Sequence, residues 1–161
     1  MDVSRHQRRI YLVQAIYLWE HQQGRDKKLD EKAAEALLKY TWEDFSSAPY
    51  DETISEFDRD RFFGMIDNIK KIRKFLILFA PDWPLDKIAT ADRAVLYLGL
   101  FELLHTDVPP AVVINEAVEL AKEFGGERSS KFVNGVLSTA NKDQEKKTAK
   151  KEKKKTKKEA S

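Results

Sequence analysis

Residues 111–137, AVVINEAVELAKEFGGERSSKFVNGVL, constrain the fold more than any other stretch, because they spell out two helices and the break between them. Val113, Ala117, Leu120, Ala121 and Phe124 recur at three- and four-residue spacing, the signature of one apolar helical stripe. Glu116, Glu119, Lys122 and Glu123 fill most of the opposite side. Gly125-Gly126 should end this helix, since glycine enters the left-handed cap conformation without a steric penalty. Ser129 or Ser130 can cap the next helix through a side-chain oxygen. Phe132, Val133, Val136 and Leu137 supply its apolar face.

This junction has chemistry of its own. Arg128, Ser129, Ser130, Lys131 and Phe132 set two cations, two hydroxyls and an aromatic ring around a helix start. Exposed N–H groups and the positive end of the macrodipole favour an anion there. Two readings stay open from the residues alone. Either Phe132 is core and the cations are solvated, or the site takes a phosphate with a base stacked on the ring.

The rest of the chain is helical in the same sense. A first helix is expected from about Ser4 to Gln22, with Ile10, Val13, Ile16 and Tyr17 as its stripe and Leu12 and Trp19 widening it. Arg5, Arg8 and Arg9 share one side of its first turns. Three cations there oppose the helix dipole, a cost that makes sense if they meet phosphate, which arginine grips through its planar fork. Further helices are expected at about 29–45, 57–79, 90–105 and from Pro109-Pro110 onward, with a short turn at 85–89 and Thr90 as a cap. No alternating strand pattern occurs, so the fold class is all-α.

The 161 residues suit one domain, and its net charge of +2 conceals an asymmetry. Residues 142–161 hold ten lysines against four acids, which is +6, leaving residues 1–141 at −4. The tail has no apolar residue larger than alanine and is expected to be disordered, binding polyanions weakly and without sequence preference. There is no cysteine, and His6, His21 and His105 are isolated, so no metal site and no cofactor are expected. Glycine-rich phosphate loops and nucleophile elbows are missing, which argues against an enzyme. No apolar run reaches membrane-spanning length, and no signal-peptide core opens the chain, so a soluble cytoplasmic protein is expected.

INEAVELAKEFG followed by KFVNGVL, together with RRIYLVQAIYLWE and WPLDKIATADRAVLYLGLFELL, closely resembles the NusB family of transcription antitermination proteins. The resemblance covers most of residues 4–141 and thins through 24–60. It implies seven helices in two small bundles, about 1–80 and 81–141. It also implies binding of boxA RNA together with the ribosomal protein NusE, in complexes that keep RNA polymerase processive, notably on ribosomal RNA operons. By position in the family's motifs, Arg5, Arg9, Lys131 and Phe132 are expected to face RNA, joined by Arg8, which stands where a small residue is common, and by Arg128, while Tyr17 and Asp92 are expected to face NusE on a separate flank. His6 and Gln7 stand where further cations are usual, and Arg128 where an acid is common. Tyr97 replaces a basic residue, so a charge contact there would become stacking or hydrogen bonding. The alternative is a helical interaction module, such as a homodimer through apolar helices, without specific RNA binding.

Overall fold

The computed structural model describes residues 3–23, 30–46, 50 and 56–160. Among them are seven α-helices and no strand: α1 (Arg5–Gln23), α2 (Glu31–Phe45), α3 (Glu56–Asp67), α4 (Ile69–Phe79), α5 (Thr90–His105), α6 (Pro110–Gly125) and α7 (Glu127–Ala160), with a 3₁₀ turn at Leu85–Lys87 before α5. Local chemistry sets many of these ends. Asp30 caps α2 by accepting from the Ala33 N–H at 2.7 Å. Pro109 and Pro110 open α6, where a missing N–H costs nothing. Thr90 does not cap α5; Ala89 holds the cap position, and the Thr90 hydroxyl accepts from Arg93 Nη2 instead.

α5 is the axis of the molecule. Its residues from Arg93 to Glu102 are all buried, and it packs against α1, α3, α4, α6 and α7. A helix apolar on nearly every side has nowhere else to go. α1 turns Leu12, Val13, Ile16 and Trp19 inward, while Tyr17, counted in the expected stripe, is exposed. α6 and α7 pack on each other, and Ala117, Leu120 and Ala121 share one core with Val133, Val136 and Leu137. One continuous core therefore unites segments from both halves of the chain.

Two expectations are corrected. The single helix foreseen at 57–79 breaks at Asn68, whose backbone leaves the helical region at φ −105° and ψ 12° and whose side-chain amide joins its own N–H in donating to Gly64 O, at 2.8 Å and 3.1 Å. The tail expected to be disordered instead continues α7 to Ala160. The body already supplies the nucleus of that helix, so extension avoids the nucleation cost. Lysine, glutamate, alanine and glutamine are good helix formers, and no glycine or proline interrupts them after Gly135. A Lys147–Asp143 pair at 3.0 Å adds local support.

Candidate nucleic-acid interface

Ser4 starts α1 with a reciprocal cap. Its hydroxyl accepts from the Gln7 N–H at 3.2 Å, and Gln7 Oε1 accepts from the Ser4 N–H at 3.3 Å. Two orphan donors are thereby satisfied, which offsets the cost of the cations that follow.

The three arginines then diverge. Arg5 is exposed, with its guanidinium 5.4 Å from the centre of the Phe57 ring. Arg8 keeps only 11% of its side chain exposed, 3.6 Å from Asp58 and 5.2 Å from the Trp42 ring centre. Burial pushes the Asp58 carboxyl up to about 7, against the opposing pull of Arg8 and Arg61. Arg9 is only 3% exposed and donates twice to Glu102, at 2.8 Å each, while Arg61 donates to the same carboxylate at 3.2 Å. Arg9 is therefore withdrawn from the expected RNA-facing set: its fork is spent on a carboxylate inside the fold. Removing one partner from such a buried pair costs about 3–5 kcal/mol, because the other charge is stranded.

His6, read as an isolated histidine, ties α1 to α6. Its Nδ1 lies 2.6 Å from Glu116 Oε2 and its Nε2 lies 3.4 Å from Glu123 Oε1. The Glu116 hydrogen bond raises the imidazole pKa against partial burial. Glu116 lies mid-helix and Glu123 three residues before Gly126, so these contacts lay the first turn of α1 along the second half of α6. Beside it, Arg5, Arg61, Phe101, Asp107 and Glu116 help line an open cleft of about 730 Å³ with charges of both signs.

At the α6–α7 junction, Gly126 has φ 85° and ψ −166°, an extended region that only glycine occupies readily, not the left-handed cap expected. A Cβ on Gly125 would stand 2.1 Å from Ser129 Oγ and 3.2 Å from Asp92 Oδ1. Glycine is thus needed where α5, α6 and the start of α7 converge. α7 begins at Glu127, earlier than a serine cap would allow, and Ser130 Oγ donates to Glu127 O at 2.8 Å. Arg128 and Lys131 are exposed on its first turns. Phe132 packs partly against the core and meets Trp83 edge-to-face, centroids 6.0 Å apart and planes at 70°. Phe132 is thus part of the core, as the first of the two readings has it, and keeps part of its ring exposed.

The expected partner-facing residues are on different helices. Tyr17 is 40% exposed and stacks on His21 at 6.1 Å. Asp92 borders the α6–α7 junction, beside the cationic turn and not apart from it. Tyr97 reaches no surface: it is fully buried, and its hydroxyl accepts from Arg73 Nε at 3.3 Å, with Arg73 also bonded to Glu20. Among the described residues no cluster of His, Cys, Asp or Glu could hold a metal ion, and no helix is long and apolar enough to cross a membrane.

Comparison with known proteins decides the family. The sequence pattern of the NusB family matches residues 6–142. The chain belongs to the NusB family. The transcription antitermination protein NusB of Methylacidiphilum infernorum is 35% identical over 142 residues, 88% of this chain and 92% of its own length. Its counterpart in Dehalococcoides mccartyi is 38% identical over 147 residues, again 88% of this chain and 92% of the relative. The crystal form of T. maritima NusB superposes with a TM-score of 0.73 at 31% identity, covering 88% of this chain and 93% of that one. A structure of the antitermination factors NusB and NusE in complex with dsRNA shares the fold at a TM-score of 0.70 and 23% identity, covering 87% of this chain and 98% of that one.

Within this NusB-family chain, sequence reasoning missed Trp83. Pro81 and Pro84 flank it, and nothing local shows that its indole meets Phe132, 49 residues later. The Ser4–Gln7 cap was legible as S-x-x-Q and was also passed over.

Proposed function

We propose that this protein is a transcription antitermination factor that binds boxA-type RNA together with NusE and so joins RNA polymerase complexes in the cytoplasm. It acts by binding, without catalysis. One observation carries the reading: His6 lays the cationic start of α1 along the second half of α6, and the chain that follows α6 presents Arg128, Lys131 and Phe132. Two segments more than 100 residues apart in sequence are thereby neighbours through a single side chain.

Arg5, Arg8, Arg128 and Lys131 supply the cations, and the exposed aromatic surface at Phe132 supplies a place for a splayed base. Tyr17 and Asp92 are the NusE contacts, with Asp92 next to the RNA-facing turn. If about four phosphates are neutralised, log affinity falls with log salt at a slope near −3 for single-stranded RNA. Filter binding of boxA-type and scrambled RNA, with and without NusE, tests this. Preference for the boxA-type RNA, sharpened by NusE, is expected; equal affinity under every condition would reject it.

A further inference from the structure

Trp83 is the structure's least explained residue. Of the three tryptophans, Trp19 and Trp42 are 4% and 2% exposed, whereas Trp83 is 55% exposed. It is not a loose side chain on a loose loop. The Trp83 N–H donates to Ala80 O at 3.1 Å, Pro81 and Pro84 stiffen the turn, and Phe132 braces one side of the indole edge-to-face. A large ring held rigidly with half its surface in water is well suited to bind a flat partner, since little conformational freedom is left to lose.

We infer that Trp83 and Phe132 form an aromatic corner that takes one unstacked nucleobase of single-stranded RNA, with the indole face as its stacking surface. This rests on the RNA-binding reading above and adds a residue to it. Charge complementarity selects the occupant. Arg128 stands one turn before Phe132, on the side of α7 that carries the braced ring, and Lys131, three residues on from Arg128, flanks it, both cations being exposed. A base has a π-face for the indole and a backbone phosphate for the cations, and stacking of this kind tolerates any base. An apolar protein segment would leave the two cations without counterparts.

The test uses the full chain and a short boxA-type RNA oligonucleotide, followed by tryptophan emission and by filter binding. Trp83 is the exposed emitter, so RNA should quench the long-wavelength part of the emission, and Trp83→Phe should abolish that quenching while keeping most of the affinity. Trp83→Ala should weaken RNA binding about 5- to 150-fold, the range for losing one stacked base. Circular dichroism confirms folding of each variant. Affinity within twofold of the parent for Trp83→Ala, while Lys131→Glu still weakens binding, would overturn the aromatic corner and leave the RNA reading intact. No effect of Lys131→Glu either, or no RNA binding by the parent chain, would defeat both. Loss of NusE binding with RNA affinity unchanged would make the corner a protein contact and overturn the proposal.

Discussion

His6 shows how one side chain can join parts of a chain that the sequence keeps far apart. Its two glutamates lie 110 and 117 residues away, on α6. Because the folded imidazole has a raised pKa, its contribution is fully present below the ordinary value of about 6.5 and is lost as pH rises through the raised one. His6→Ala should therefore destabilise the protein more at pH 5.5 than at pH 8.5, read as the difference in urea midpoint from the parent. The same difference at both pH values would show that His6 does not titrate with folding. Arg5 and Arg9, four residues apart, make the complementary point. Both were legible as cations, but only the fold separates them, since Glu102 lies 93 residues from Arg9. A signal existed in Arg9 continuing the buried series Leu12, Val13, Ile16 and Trp19, at spacings that fit one face.

Helices were read more securely than their ends. α5 and α6 followed from apolar content, proline and glycine, which act locally. The break at Asn68 did not, because the apolar spacing runs through it and the interruption lies in the Asn68 backbone and its amide bond to Gly64 O. α7 is the largest difference. Its lysine-rich end lacks a core-facing stripe, so the absence of burial argued for disorder, whereas helix propensity and a preformed nucleus extend it. The 34 residues span roughly 51 Å at 1.5 Å per residue, and those past 145 are exposed. As a basic arm it should add affinity without reading sequence. Removing 142–161 should weaken RNA binding and flatten its salt dependence, by about 0.7 in slope for each phosphate released, with the boxA-to-scrambled ratio unchanged. An unchanged slope would exclude the arm from binding; a changed ratio would give it a part in recognition.

At the scale of the whole molecule, α5 is the fixed element against which five helices are placed, and the surface depends on that placement. The start of α1, the turn carrying Trp83 and the start of α7 come from three distant parts of the sequence. His6 ties the first of them to α6, Gly125 leaves room for Ser129 and Asp92 at the α6–α7 junction, and Phe132 meets Trp83. None of those contacts is written in a local pattern, which is why the cations are legible in the sequence while these contacts are not. An NMR titration of the full chain with boxA-type RNA addresses the grouping of the three segments most directly. The amide signals of residues 4–8, 82–85 and 127–133 should shift together, at one RNA stoichiometry and along one saturation curve. Shifts confined to the helical arm beyond residue 142, or to one of the three segments alone, would contradict a single composite surface.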